Sequence, residues 1–196
     1  MNSRFLILAA VFVACVAVSP LTRSEGVDET TILVAKRQLR DQLYGNTILI
    51  VKPLGEDRHV GFIINKPTQM TLGKLFPGHG PSQKVVDPVY LGGPFNSQVI
   101  FALVQRPDSP GGRSVRIAQD LYLAVDSQIV DRIIETEPQH ARFFAGMVLW
   151  KPGELADEMK KGLWYTLDAR SELVLKKADG LWEELVGRSE RKANTI

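Results

Sequence analysis

Short apolar runs separated by polar turns dominate the chain after residue 30. The runs at 31–35, 46–51 and 59–65 are rich in β-branched and other apolar residues, which favours strands. The turn at 53–57 supplies Pro, Gly and Asp, so residues 46–65 are predicted to form a β-hairpin. The same pattern predicts further strands at 88–93, 98–105, 121–125, 141–150, 163–167 and 172–176.

Fewer segments repeat at helical spacing. After Asp126 as a candidate N-cap, residues 127–137 place Ile129, Ile133 and Ile134 on one helical face. The remaining polar or helical segments are a short helix at 71–76 with Thr71 as candidate N-cap, helices at 153–162 and 180–188, and an irregular or short helical stretch at 36–45. Sustained alternation of strands with crossover helices is missing from this pattern. We therefore predict an α+β single domain with a largely antiparallel or barrel-like β-sheet, flanked by a few helices.

The composition fits a single domain, and the charge balance bears on whether nucleic acid is a partner. The chain has 196 residues, of which 44% are hydrophobic and 23% charged. Arg4 and Arg23 are the charged residues of the first 24, so removing that segment leaves 22 basic against 22 acidic residues. Nucleic-acid binding depends on neutralising phosphate charges with basic residues. If the protein is exported and residues 1–24 are removed, the remaining chain has no net charge, and no nucleic-acid partner is predicted.

The first 24 residues read as a secretory signal. A short basic start precedes the uninterrupted apolar run 5–18, which is too short to cross a bilayer of roughly 30 Å as a helix. We expect cleavage after Ser24, giving a periplasmic or secreted protein of residues 25–196. An uncleaved membrane anchor is the alternative. Cys15 lies inside the apolar run in a faint likeness to a lipoprotein box, and the remaining chain has no cysteine for thiol catalysis or a metal site.

Familiar catalytic signatures do not occur in this sequence. Phosphate-loop, dinucleotide-binding, nucleophile-elbow and zincin patterns are missing. The three histidines, His59, His79 and His140, are far apart and none has a second ligand at metal spacing, so they are interpreted as surface or strand-end residues. No cofactor and no metal are predicted.

Two strand ends carry unusual residues. "GFIINKP" ends an apolar run on Asn65, Lys66 and Pro67, and "VYLGGPF" ends the next on a Gly-Gly-Pro corner. Each has a structural explanation, because asparagine binds turn backbone and glycine permits tight corners. A glycine pair also lets a ligand or a second backbone come close. We expect Asn65 to hold its turn and Lys66 to be the exposed functional member, beside the flat apolar face of Trp150. The candidate ligand- or partner-binding residues are Asn65, Lys66, Pro67, Gly92, Gly93, Pro94 and Trp150.

These motifs together resemble the YqgE/AlgH family of bacterial proteins, with similarity from about Ile32 to Leu175. The matching positions are Gly61, Asn65, Lys66, Pro67, Gly92, Gly93, Pro94, Gly146, Trp150, Gly153, Leu155 and Trp164. The chain departs from the pattern at His59, Met147, Leu149 and Glu154, and in its export signal. The resemblance implies a compact α+β domain with a barrel-like sheet, a transcriptional-regulator label and no assigned catalytic residues.

Three functions follow from these patterns. The favoured one is an exported, non-catalytic module that binds a small ligand or a protein through the two strand ends. The second is the cytosolic regulator of the family label, which requires residues 1–24 to be retained. The third is a hydrolase-like enzyme that brings Lys66 together with a histidine and an acid.

Overall fold

The computed structural model describes residues 29–193. The predicted signal segment, residues 1–24, lies outside them. Ten strands are described: β1 Thr31–Ala35, β2 Ile48–Gly55, β3 Arg58–Ile63, β4 Pro67–Thr71, β5 Pro88–Leu91, β6 Phe95–Gln105, β7 Ser114–Ala118, β8 Leu121–Ala124, β9 Ala141–Trp150 and β10 Trp164–Asp168. The helices of the same residues are α1 Leu72–Leu75, α2 Ser127–Thr136, α3 Glu154–Lys160, α4 Ser171–Leu175 and α5 Leu181–Ala193, with 3₁₀ turns at Pro81–Lys84 and Pro138–His140.

The strands form one curled sheet, a half-barrel, in the order β10-β1-β2-β3-β9-β6-β8-β7. Every neighbouring pair in this order is antiparallel. β5 pairs in parallel with β9 and antiparallel with β4. The predicted α+β class, the largely antiparallel sheet and the β2–β3 hairpin are confirmed. Gly55, Glu56 and Asp57 all have positive φ at the hairpin turn, which explains the Gly and Asp in that stretch.

The interior of the half-barrel holds an apolar cluster that runs across the sheet from β1 to β7. Phe62 lies at its centre, in ring contact with Phe101 and Phe144 at centroid distances of 5.6 Å. Helix α5 adds Trp182 to the cluster, and its indole Nε1 donates to Ala35 O at 2.8 Å. The helix therefore closes the interior against the first strand.

The outer face of the sheet is covered in two places. Over β1–β3, the loop 36–46 and α3 enclose a second cluster that contains Trp150 and Trp164. Over β6, β8 and β9, α1 and α2 enclose a third cluster. Both of these helices begin as the sequence predicts, since Thr71 accepts from Lys74 N and Asp126 accepts from Gln128 N.

One predicted strand is wrong, and two strands were not predicted. Residues 172–176, "ELVLK", are predicted as a strand, but the segment forms α4. Its burial decides this: Val174 packs into the interior at helical spacing from Ser171, which is also buried. β4 and β7 are short strands without a continuous apolar run; β4 is mostly exposed, and β7 lies at the sheet edge with Ile117 as its buried residue. The segment 36–45 forms turns rather than a helix.

None of the helices within residues 29–193 is long and apolar enough to span a membrane.

Candidate functional site

Asn65 and Lys66 hold the loop 36–46 against the sheet. Asn65 Oδ1 accepts from Ile48 N at 2.8 Å, and its Nδ2 donates to Asn46 O at 2.9 Å. The amide side chain thus continues the β2–β3 ladder beyond the end of β3. Lys66 Nζ donates to Leu43 O at 2.5 Å, and partial burial lowers the pKa of this amine. The sequence analysis expects Lys66 to be exposed, whereas the structure shows it half-buried.

The Gly-Gly-Pro corner carries the chain across β9. β5 pairs with one edge of β9 and β6 with the other, so the connection must cross that strand. A Cβ on Gly92 would lie 2.2 Å from Gly146 O, and one on Gly93 would lie 2.2 Å from Met147 C. Gly146, at φ +73°, faces the corner from β9 in the same way. The sequence analysis allows either a ligand or a second backbone close to this glycine pair. The structure shows that the backbone of β9 occupies the space.

Trp150 lies elsewhere. It is 4% exposed, and its ring fills the space left by Gly61. Its Nε1 donates to Glu158 Oε1 at 3.3 Å, while Trp164 Nε1 donates to the other oxygen of the same carboxylate at 2.8 Å. Trp150 is opposite His59 at the start of β3, and Asn65 follows the end of that strand, roughly 20 Å further along.

The predicted set has three parts: the strand end at 65–67, the corner at 92–94, and Trp150. The structure brings the first two together. Lys66 O accepts from Leu91 N at 2.8 Å, and Gly92 O accepts from Ile63 N at 2.9 Å, so both strand ends are adjacent. Pro67 and Pro94 are the exposed members of this set. Trp150 does not join them and belongs to the core beneath α3.

His59 and His79 have surroundings that differ from those of Lys66. His59 is 2% exposed and lies beneath α3, opposite Trp150 in the sheet. His79 Nδ1 is 2.7 Å from the buried Ser82 Oγ, and its Nε2 is 3.9 Å from Glu135. Across residues 29–193, no group of three or more His, Cys, Asp or Glu side chains is arranged to hold a metal ion.

A groove of about 680 Å³ opens between the first half of β6 and α2. Its apolar wall is solvent-exposed: Phe76 is 42% exposed, Val99 37% and Val125 40%. The lining residues are Phe76, His79, Gln98, Val99, Ile100, Arg113, Val125, Asp126, Ser127, Val130, Asp131 and Ile134. Sequence reasoning missed this groove because its residues come from four separate segments. Val99 was already visible in the sequence as an apolar residue of the predicted strand 98–105. Its exposure is seen only in the structure.

One edge of β6 is open along this groove. Within the described chain, β6 pairs with β8 over Ala102–Gln105. β8 ends at Ala124, and Asp126 then caps α2, so the chain turns away before it reaches residues 96–100. On its other edge β6 shifts register against β9 between Phe95 and Ile100. The first half of β6 therefore lies outside the regular sheet, with its backbone beside an apolar groove.

Comparison with known proteins gives a consistent result. A family profile described as "AlgH-like" matches residues 32–194. The chain is 30% identical over 146 residues to the UPF0301 protein CT0663 of Chlorobaculum tepidum, covering 73% of this chain and 76% of that protein. It is 28% identical over 159 residues to a UPF0301 protein of Chlorobium limicola, covering 79% and 83%.

Two solved structures share the fold. Protein DIP2367 from Corynebacterium diphtheriae superposes with a TM-score of 0.69 at 20% identity, covering 85% of this chain and 89% of the other. The solution structure of the AlgH protein from Pseudomonas aeruginosa gives a TM-score of 0.67 at 18% identity, covering 82% and 87%. At these identities the likeness concerns the arrangement of strands and helices.

Proposed function

This chain belongs to the AlgH-like family, and from that premise we propose that it is an exported, non-catalytic module that binds an extended apolar segment of a partner protein. The binding surface is the groove between the first half of β6 and α2. The observation that carries the proposal is the exposed apolar wall formed by Phe76, Val99 and Val125 beside an open strand edge.

Two physical arguments support a peptide as the occupant. Apolar side chains gathered in one exposed groove mark an interaction surface, because isolated soluble domains bury or scatter such residues. An extended peptide can add to an open strand edge through backbone hydrogen bonds while its alternate side chains enter the apolar groove. A small ligand is the alternative occupant, since the volume of the groove lies within the usual range for ligand sites.

The predicted strand ends have a supporting role in this proposal. Gly92 and Gly93 bring the chain across β9, and the next residues lead directly into the exposed half of β6. Asn65 and Lys66 fix the neighbouring loop. Pro67 and Pro94 are exposed and are the members of the predicted set that a partner can contact directly.

A peptide-display experiment tests the groove. Peptides selected on the purified protein should be extended and apolar, and they should shift the amide resonances of residues 98–100. Val99→Asp should weaken their binding at least tenfold. Val86→Asp is the matched control, because Val86 is 84% exposed and does not line the groove. Peptides that bind Val99→Asp as well as the unaltered protein would refute the proposed surface.

A hydrolase-like activity receives no support from this geometry. Lys66 Nζ is bound to Leu43 O, while His79 lies on the groove and contacts Ser82 and Glu135. The three groups that such an enzyme would need do not converge.

Export rests on the composition of residues 1–24, and the cytosolic regulator is the competing proposal. Intact-mass analysis of a periplasmic extract should show a chain that begins at Glu25. Full-length protein in the cytosol, together with sequence-specific binding to duplex DNA at physiological salt, would favour the regulator instead.

A further inference from the structure

Arg142 occupies an unusual position at the end of the half-barrel interior. It lies on β9, two residues before the buried Phe144. Its Nη1 donates to Ile64 O at 3.2 Å, and its Nη2 donates to Leu175 O at 3.1 Å and Lys176 O at 2.8 Å. Its guanidinium also lies over the ring of Tyr90, 4.2 Å from the ring centroid.

The charge of this guanidinium is not neutralised by a contact with a carboxylate. The ion pairs formed among residues 29–193 do not include Arg142. Burial lowers its pKa, while the Coulombic influence of Tyr90, and then that of Asp87, opposes the shift. Guanidinium has five N–H donors, and backbone carbonyls of the described chain take three of them. The Nε–H and one Nη1–H are therefore available to another acceptor.

Arg142 lines a pocket of about 410 Å³, distinct from the groove at β6. Its other walls are largely apolar: Tyr90 and Phe143 come from the sheet, and prolines come from three separate segments at positions 67, 88 and 138. Asp87, Lys177 and Asp179 also line the pocket, but all three are exposed and therefore well screened by water. The half-buried cation of the pocket is Arg142.

We propose that this pocket binds a small organic carboxylate, with the carboxylate accepting from a free N–H of Arg142 and the apolar part against Tyr90 and the prolines. Charge-assisted hydrogen bonds from guanidinium to carboxylate are among the stronger polar contacts in proteins, and they gain strength where water is excluded. A volume of about 410 Å³ accommodates a small ligand. This site is independent of the partner surface proposed above.

The test uses benzoate as the probe, because it joins a carboxylate to a flat apolar ring. In NMR titrations of the purified protein, benzoate should saturably shift the Arg142 Nε–H and Tyr90 ring resonances. Benzamide has nearly the same shape without the charge, and it should bind at least tenfold more weakly. Inorganic phosphate, an anion without an apolar part, should also bind at least tenfold more weakly.

Two variants place the binding at this pocket. Arg142→Gln should weaken benzoate binding at least tenfold, while Lys161→Gln, which removes an exposed cation outside the pocket, should change it less than twofold. Because Arg142 also holds three backbone carbonyls, its variant can fail to fold. Gln139→Trp is the second variant: it leaves Arg142 in place and should block the pocket from its exposed wall, with the same loss of binding. Equal binding of benzoate and benzamide, or unchanged binding to Gln139→Trp, would overturn the proposal.

Discussion

At the scale of single residues, Asn65 shows how a polar side chain can replace strand pairing. Its amide accepts from Ile48 N and donates to Asn46 O, so it satisfies backbone groups at and just before the start of β2 that a further strand residue would otherwise bind. The sequence predicted this structural role, because asparagine before a turn commonly binds backbone. It could not predict that Lys66 would bind Leu43 O, since that contact depends on how the loop 36–46 folds back.

Asn65→Ala should lower the free energy of unfolding by about 1–3 kcal/mol, because both backbone groups lose their partner in a partly buried place. Urea denaturation measures this directly. Gln128→Ala is the control: Gln128 is an exposed helix residue, and its loss should change stability by no more than about 0.5 kcal/mol. Equal effects of the two substitutions would show that Asn65 does not hold the loop.

Asp120 provides a test by pH. A hydrogen bond from Gln105 Nε2 at 2.8 Å, and then one from Ser171 Oγ at 3.0 Å, hold the pKa of Asp120 below its ordinary value of 3.8. A carboxyl with a lowered folded pKa contributes stability that is fully present above the unfolded pKa and is lost as pH falls through the folded pKa. Stability measured from pH 6 to pH 2 should therefore fall less steeply in Asp120→Asn than in the unaltered protein. Asp108→Asn, at an exposed turn, should keep the original slope.

At the scale of elements, the sequence predicts strands better than it predicts how they cross. The β2–β3 hairpin follows from two apolar runs and the turn residues at 53–57. Helix α2 follows from its apolar spacing and the cap at Asp126, and β9 follows from its long apolar run. The sequence predicts a tight corner at Gly92 and Gly93. It does not show that these glycines are needed to cross β9, because that strand lies about 50 residues further along the chain. Helix α4 was mistaken for a strand because five residues are too few to show a helical period.

The crossing of β9 predicts a severe effect at Gly93. In Gly93→Ala the new Cβ would lie 2.2 Å from the Met147 backbone carbon, and neither backbone can move without breaking the pairing of β5 or β6. We expect a loss of more than about 4 kcal/mol, or failure to fold. Gly78→Ala should be nearly neutral, because a Cβ there meets nothing within 4 Å. Similar melting temperatures for these two alanine variants would contradict this explanation.

At the scale of the whole molecule, a half-barrel leaves its interior open between the edge strands, and the helices after β10 must fill that opening. β10 and β7 are the two ends of the strand order. Leu181, Trp182 and Leu185 of α5 pack into the interior cluster with α4. The groove beside β6 lies outside this cluster, whereas the pocket beside Arg142 shares Tyr90 with it. Closure of the interior and partner binding at the groove are therefore assigned to separate parts of the molecule.

A chain that stops after Gly180 should consequently lose cooperative folding. Helix α5 buries Leu181, Trp182, Leu185 and Val186, and burying each such side chain contributes about 1.5–3 kcal/mol. Together these contributions approach the whole stability of an ordinary domain, about 5–15 kcal/mol. A chain that stops after Arg191 keeps all four residues and should melt as the full chain does, when followed by circular dichroism. A cooperative transition near the original temperature in the shorter chain would show that the curled sheet is stable without its closing helix.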